Sequence, residues 1–271
     1  MSTSPFKMNN PGCSCCDCPC ACYRFDGNAD DSTNSLHLTA TNAVYDTGKL
    51  NQAAKFPGTA YFERADNACF NLGPSGINVW FWINPNYPAD YEWGIGSGLD
   101  PEGVVTKGDV KENGSYDFDG EWGIFFDVGS PSDVFVGSLI FIVNGGDPTP
   151  HTSRLVGVTA ETWTFYFFWV SISEDKLYLI QNDDSTLTTP LGGTQTLTSS
   201  KPLYIGNNTE GKKLGEQTNG GVARPWLIDN VGFCKNIGTK AEMEERAANL
   251  YNDGSGLACN NAGLATGGCC G

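Results

Sequence analysis

Histidine is scarce in this chain of 271 residues, and several familiar catalytic patterns are missing with it. Its two histidines, His37 and His151, lie in neither a nucleophile elbow nor a His-Glu-x-x-His motif. The sequence also lacks a glycine-rich phosphate loop of the form G-x-x-x-x-G-K. It therefore gives no support for a nucleophilic triad or a nucleotide-phosphate site.

Basic residues are also few. The 16 lysines and arginines are scattered among 31 acidic residues, which gives a net charge of −15 and an isoelectric point near 4.4. Because a protein that binds a phosphate backbone needs clustered Lys and Arg, we expect no nucleic-acid partner. We interpret the acidity as a solubilising surface, and an acidic recognition patch is the alternative.

Long apolar segments are absent as well. The most apolar run, residues 163–172, is far shorter than the ~20 residues that a membrane-spanning helix needs, and Glu161 and Glu174 flank it. The first residues, MSTSPFKMNNPG, contain no apolar core of a secretory signal peptide. We therefore expect neither membrane insertion nor a signal peptide.

What the chain does contain is a series of short, strand-like runs. The 34 glycines and 14 prolines are spread along it, as many short turns require. Alternating or apolar runs predict strands at 77–83, 122–126, 134–143, 165–172 and 177–180. A length of 271 residues suits a single β-sandwich with one sizeable core.

The last quarter of the sequence has a distinctive order of elements. The runs PLYIGNN and WLIDNVGF, at 202–208 and 226–233, predict two strands. Thr239 and Glu242 then form a capping-box pattern that predicts the start of a short helix. Asn252, Asp253 and Gly254 predict its end.

This closing segment resembles that of laminin G-like domains in the concanavalin A-like superfamily. Three upstream stretches are also similar to family motifs: KLNQAAKFPG at 49–58, FWI at 81–83 and VTKGD at 105–109. The resemblance covers residues 23–258 and implies an all-β, two-sheet jelly-roll sandwich with one short C-terminal helix. Asn230 departs from the pattern, because the family more often has Glu there.

The cysteine-rich ends lie outside the resemblance. We therefore divide the chain into an N-terminal arm (1–22), the sandwich (23–258) and a Gly/Cys-rich tail (259–271).

The resemblance also implies a calcium ion, since domains of this superfamily often hold one Ca²⁺ on the sandwich. Asp229 is the candidate ligand from its place in the IDNVG strand. Asp26, in the first strand-like stretch, is the second candidate if the first and last strands pair. Carboxylates and backbone carbonyls are the ligands that Ca²⁺ prefers. The alternative is that Asp229 only caps a turn.

Glycoside hydrolases share the superfamily, and one acidic cluster is similar to their motif. Asp117, Asp119 and Glu121 follow the spacing of the β-glucanase Glu-x-Asp-x-Glu pattern, which aims three carboxylates into a cleft. The first member here is Asp rather than Glu, and the cluster follows the turn-like residues 113–115. We therefore expect an acidic loop and no enzyme, and we keep the hydrolase as the alternative.

Glycan recognition needs exposed aromatic side chains beside amides and carboxylates. Trp93, Tyr116 and Trp122 lie near that acidic cluster and are the candidate sugar-binding residues. Most other tryptophans, in VWFWI and WTFYFFW, are expected in the core.

Eleven cysteines remain to be explained, and six of them fall within ten residues. The candidates for cross-linking are Cys13, Cys15, Cys16, Cys18, Cys20, Cys22, Cys259, Cys269 and Cys270. Three interpretations stay open: disulfides between chains or to the C-terminal tail, a soft-metal thiolate cluster, and free thiols. Cys69 and Cys234 lie in strand-like sequence and are expected to be buried apolar residues.

The expected function is therefore a non-enzymatic binding or structural module for a glycan or a surface protein. A cysteine-dense start without a signal peptide is similar to proteins on virions or surface assemblies, in which the arms would link a homo-oligomer. The competing hypothesis is a secreted bacterial surface protein whose start lies upstream. Either way, an extracellular or virion-surface location is expected.

Overall fold

The structure is a computed structural model of the chain. It describes residues 19–33, 35–85, 102–112, 116–127, 138–143, 151–155, 158–192, 195, 197–208, 211, 213–215, 218–219, 222–223, 225–235 and 237–257.

These residues form strands with a single helix near the end of the chain. The strands of the first half are β1 (Ala21–Tyr23), β2 (Thr39–Thr41), β3 (Val44–Thr47), β4 (Gln52–Phe56), β5 (Tyr61–Arg64), β6 (Ile77–Pro85), β7 (Glu102–Glu112) and β8 (Tyr116–Asp127). Those of the second half are β9 (Ser138–Val143), β10 (His151–Leu155), β11 (Thr164–Ser171), β12 (Lys176–Gln181), β13 (Leu187–Pro190), β14 (Leu203–Ile205), β15 (Thr218–Asn219), β16 (Val222–Ala223) and β17 (Trp226–Cys234). The helix α1 is Lys240–Tyr251.

Two antiparallel sheets make up the sandwich. The first, sheet A, has the order β13-β12-β11-β6-β17-β4-β3, and β1 also pairs with β17. The second, sheet B, has the order β10-β9-β8-β7-β14-β5-β2. Strands β15 and β16 form a small separate hairpin. The structure therefore confirms the predicted jelly-roll sandwich with one short C-terminal helix.

The core lies between the sheets and follows the alternation of each strand. In β11, Tyr166, Phe168 and Val170 point into the core. The intervening residues Phe165 and Phe167 belong to a second cluster on the outer face of sheet A. Burial on both faces explains why the central strands of sheet A read as nearly continuous apolar runs.

Helix α1 covers part of this outer cluster with Met243, Ala247 and Leu250. The capping box is present as predicted, since Thr239 and Glu242 each bond to the other's backbone N–H. The helix ends at Asn252, which adopts a left-handed conformation (φ 48°). None of the helical residues that the model describes forms a span long and apolar enough to cross a bilayer.

Strand β17 brings the two ends of the domain together. Residues 226–228 pair with β4, and residues 231–233 pair with β1, so the first and last strands are neighbours. Between the two stretches, the register against β6 shifts from Asp229 to Gly232 in a bulge, and Asn230 has a positive φ of 50°. This irregularity places the buried Asp229 at the junction of β1 and β4.

The structure differs from three sequence predictions of local structure or boundaries. Residues 117–121 were expected in a loop, but they lie inside strand β8, so that expectation is wrong. The strand predicted at 134–143 appears as β9 from Ser138, and residues 134–137 lie outside the described part of the chain. Strand β1 begins at Ala21, two residues before the expected start of the sandwich.

Candidate functional site

The two predicted calcium ligands are near each other at one end of sheet A. Asp229 is fully buried, and its carboxylate accepts hydrogen bonds from the Leu50 amide (2.7 Å) and the Asn230 side chain (2.8 Å). Burial, with a smaller contribution from the negative charge of Asp26, raises the pKa of Asp229 to about 7 against the lowering effect of those hydrogen bonds. A cation placed there would remove the cost of this buried charge.

Asp26 sits at the more exposed side of this end. Its carboxylate forms an ion pair with Arg24 (2.7 Å) and accepts from the Gln52 amide (3.3 Å). Two carboxylates are hard oxygen ligands, so the residue types fit Ca²⁺. Because no third His, Cys, Asp or Glu joins them within the described chain, the remaining ligands would have to be backbone carbonyls or water. Calcium binding here stays a prediction.

Of the three carboxylates in the hydrolase alternative, only Glu121 has a described side chain. It is fully buried, accepts from the Ser199 amide (2.6 Å) and pairs with Lys107 (3.1 Å). Asp117 and Asp119 precede it on β8, but their side chains lie outside the described part. A glycosidase carboxyl group must reach the scissile bond of its substrate. The Glu121 carboxylate is instead held inside the sandwich by Lys107 and the Ser199 amide, so it does not reach a substrate.

Among the three predicted sugar-binding aromatics, the structure describes the side chain of Trp122 alone. Trp122 is fully buried in the sandwich core, and its indole N–H donates to the Phe70 carbonyl (2.8 Å). It therefore has no face to offer a glycan, so the prediction fails for this residue, because Trp122 falls on the inward-facing side of β8. Trp93 and the side chain of Tyr116 lie outside the described residues.

The cysteines show one pairing that the sequence did not suggest. Cys20 forms a disulfide with Cys69, so Cys69 is not the unreactive apolar residue that was expected. Cys22 is also disulfide-bonded, while Cys234 is a buried thiol. The remaining cross-linking candidates lie outside the described residues: Cys13, Cys15, Cys16, Cys18, Cys259, Cys269 and Cys270.

A pocket that the sequence did not reveal lies at the edge of sheet A. It has a volume of about 260 Å³ and opens between the β12–β13 connection and helix α1. Its apolar lining comes from Ile180, Ala247 and Ala248. Concave sites that combine apolar walls with a few polar groups are where small ligands usually bind.

Tyr251, at the end of α1, provides an aromatic side chain in the pocket lining. Its ring stacks on Trp82 (5.8 Å between centroids, 19°) and also contacts Phe165 (6.1 Å). These contacts fix the orientation of the half-buried ring. Burial raises the pKa of the Tyr251 hydroxyl, and the carboxylates of neighbouring aspartates raise it further.

The polar side of the pocket comes from the β12–β13 connection and from Asp253. Asp183 and Asp184 are exposed in this connection, and Asp253 follows the helix. Asn182 precedes them, and its side-chain oxygen accepts a hydrogen bond from the Phe165 amide (3.0 Å), which fixes its position. The aspartates and Asn182 therefore supply hydrogen-bond acceptors beside the tyrosine ring.

A hydrogen bond also links the β12–β13 connection to helix α1 in the pocket lining. The Thr186 hydroxyl donates to the Glu244 carboxylate, which also pairs with Lys240 (3.3 Å). This hydrogen bond is the largest cause of the lowered pKa of Glu244. The polar run 182–186 was the only sequence signal, and nothing in the sequence linked it to Tyr251.

Comparisons with known proteins agree with the fold. No family model matches the chain, and no curated protein matches it, so the laminin G-like resemblance itself is not confirmed. The structure is similar to the binding domain of Paraclostridial Mosquitocidal Protein 1, with a TM-score of 0.64 and 13% identity over 88% of this chain and 54% of that one. It is also similar to the receptor binding domain of botulinum neurotoxin D, with a TM-score of 0.58 and 10% identity over 86% of this chain and 53% of that one.

A third similar structure is Domain 4 of AbnA, an extracellular arabinanase from Geobacillus stearothermophilus, in complex with arabinotriose. Its TM-score is 0.55, and the 15% identity extends over 84% of this chain and 97% of that one. The chain spans about half the length of the two toxin domains. At such identities the likeness establishes the fold, a jelly-roll β-sandwich of the type found in these binding domains.

Proposed function

We propose that this chain is a non-enzymatic glycan-binding module that holds a sugar unit in the pocket between the β12–β13 connection and α1. The observation that carries the proposal is the Tyr251 ring, fixed against Trp82 beside Asp183, Asp184 and Asn182. An aromatic ring offers its face to the C–H groups of a sugar, while amide and carboxylate oxygens accept its hydroxyl protons.

The comparisons support this direction without deciding the ligand. Two of the similar structures are toxin binding domains, and the third is a domain in complex with arabinotriose. Three aspartates line the pocket of a chain with a net charge of −15, so a neutral or cationic sugar is favoured over an acidic one.

Binding of the intact protein to a glycan array, followed by calorimetric titration with the glycans found, tests the proposal. Tyr251→Ala should weaken binding about tenfold or more, whereas Tyr251→Phe keeps the ring and most of the affinity. Because Tyr251 also packs on Trp82, Asp183→Asn with Asp184→Asn provides a second, exposed change. Thr188→Ala, at an exposed position of the neighbouring strand β13, is the matched control.

The proposal fails if no glycan binds, or if binding is indifferent to both the Tyr251 and the aspartate variants while melting curves show folded protein. Hydrolysis of a β-glucan that Glu121→Gln abolishes would instead favour the glycosidase alternative.

Calcium and assembly complete the proposed function. A Ca²⁺ ion between Asp26 and Asp229 would tie the two ends of the domain together. The cysteines of the C-terminal tail, and those of the N-terminal arm other than Cys20 and Cys22, would link copies of the chain into a homo-oligomer on a virion or another extracellular surface. Linking ends that are already held close costs little further chain entropy.

A further inference from the structure

The outer face of sheet B carries a row of polar and aromatic side chains far from the pocket in sequence. In the register of the sheet, Thr39 lies opposite Glu63, Glu63 lies opposite Tyr204, and Tyr204 lies opposite Thr106. The row therefore crosses strands β2, β5, β14 and β7 in that order. In the next row, Tyr61 lies opposite Thr41.

These side chains point away from the core. Phe62, Leu203 and Ile205, which alternate with them along β5 and β14, are fully buried in the core cluster. Because successive residues of a strand face opposite sides, Tyr61, Glu63 and Tyr204 belong to the outer face. All three are only half-buried, so their side chains reach solvent.

The two tyrosines are held in a defined arrangement. The rings of Tyr61 and Tyr204 pack edge to face, with centroids 6.1 Å apart and planes at 62°. Burial together with the charge of Glu63 raises the pKa of Tyr204. Glu63 lies opposite Tyr204 in the sheet register, so this acidic residue neighbours the two tyrosines on the outer face.

The row has hydrogen-bonding capacity left for a ligand. A carboxylate has about four lone-pair positions, so Glu63 offers acceptor sites for hydroxyl groups. Thr39 is exposed and Thr41 is half-buried at the edge strand, where each offers a hydroxyl. Thr106 ends the row, because its buried hydroxyl is already bonded to the Asn207 carbonyl (3.0 Å).

The charge of the row selects the kind of ligand. Its one charged side chain among the described positions is Glu63, and the neighbouring Arg64 points elsewhere, with its guanidinium bonded to the His37 carbonyl (3.0 Å). Without a basic partner in the row, a sulfated, phosphorylated or carboxylated ligand would be repelled. Two strand spacings, from Thr39 to Tyr204, span about 10 Å, which is an extended surface rather than a pocket.

We infer a second binding surface on the outer face of sheet B, which takes a neutral oligosaccharide across the strands. It consists of Thr39, Glu63 and Tyr204 from the first row and of Thr41 and Tyr61 from the next row. The tyrosine rings contact the C–H faces of the sugar units, and Glu63 and the threonines bond their hydroxyls. This surface extends the proposed glycan-binding function to residues that the pocket does not use.

Titration of the intact protein with neutral trisaccharides tests the inference. The probes are arabinotriose, cellotriose, xylotriose and mannotriose, with 3′-sialyllactose as the anionic probe. Tyr61→Ala and Glu63→Ala should each raise the Kd of the bound neutral probe about tenfold or more. Tyr61→Phe retains the ring and should stay close to the unchanged protein. Melting curves of all variants show whether a loss reflects unfolding.

The pocket variant Asp183→Asn with Asp184→Asn separates this inference from the proposed function. A Kd that responds to Tyr61→Ala and Glu63→Ala but not to the aspartate pair supports the second surface, even if the pocket binds nothing. A Kd that responds only to the aspartate pair overturns the second surface and leaves the pocket. Binding of none of the neutral probes, or equal binding of 3′-sialyllactose, overturns the inference as well.

Discussion

Lys107 and Glu121 form an ion pair of 3.1 Å in which both side chains are fully buried. Lys107 also bonds to Asp66 (2.6 Å) and to the carbonyls of Ser199 and Lys201, so the pair joins β7 and β8 to two connecting segments. Burying two charges is costly, and only complete pairing with further hydrogen bonds offsets that cost.

Breaking this pair from one side should therefore destabilise the fold severely. We expect Glu121→Ala to lower the free energy of unfolding by about 3–5 kcal/mol, because Lys107 keeps a buried charge and the Ser199 amide loses its acceptor. Asp66→Asn should cost less, since the Asp66 side chain is 37% exposed. Urea denaturation measures both, and a Glu121→Ala loss below the Asp66→Asn loss would contradict this account.

The predictable parts of the molecule are those that local patterns encode. The Thr239–Glu242 capping box, the left-handed Asn252 and the alternation of the buried strands all follow from neighbouring residues, and the structure confirms them. The prediction that Asp26 approaches Asp229 was conditional on pairing of the first and last strands, and the structure shows that pairing.

The rest depends on contacts between distant parts of the chain. The pocket joins residues 182–186 to Tyr251, and the disulfide joins Cys20 to Cys69 across 49 residues. Disulfide connectivity is not readable from cysteine spacing. Residues 117–121 were expected in a loop because they follow the turn-like residues 113–115, but pairing with β7 and burial of Glu121 against Lys107 make them a strand. Tertiary context outweighed local preference there.

The raised pKa of Asp229 predicts a pH dependence of stability. In the folded state this pKa is about 7, against 3.8 for the unperturbed group, so between these values the folded protein binds more protons than the unfolded chain. Stability from this group is complete below pH 4 and is lost as pH rises through 7. At 1.36 kcal/mol per pKa unit, the loss is at most about 4 kcal/mol.

Asp229→Asn should remove this dependence, because the amide keeps an oxygen to accept from Leu50 without titrating. Urea denaturation at closely spaced pH values from 4 to 8, in the presence of EDTA, compares the two proteins. Parallel curves for the variant and the unchanged protein would show that Asp229 does not cause the trend.

Calcium should act on the same carboxylate. A bound Ca²⁺ favours the ionised form of Asp229, so affinity should rise as pH increases through 7. At a hundredfold excess over the Kd, the ion would stabilise the fold by roughly 2.7 kcal/mol. We expect EDTA to lower the Tm and added Ca²⁺ to restore it, and Asp229→Ala to abolish both effects. If neither EDTA nor Ca²⁺ moves the melting curve at pH 8, and no metal co-purifies, the calcium prediction is wrong. Asp229 then has only a structural role at the bulge of β17.

The Cys20–Cys69 disulfide should stabilise the domain by anchoring the residue before β1 to the segment between β5 and β6. For a sequence separation of 49 residues, the chain-entropy model gives about 4 kcal/mol. Cys69→Ala should lower the unfolding free energy by up to that amount and leave a smaller response to reductant. Cys234→Ala, which changes a buried thiol, is the control that should leave the reductant response intact.

Non-reducing electrophoresis of the same proteins separates this internal bond from links between chains. An oligomer that dissociates only with reductant, in the unchanged protein and in Cys69→Ala alike, would place the interchain links at other cysteines. A monomer band with or without reductant would contradict the cross-linked assembly and leave the internal disulfide untouched.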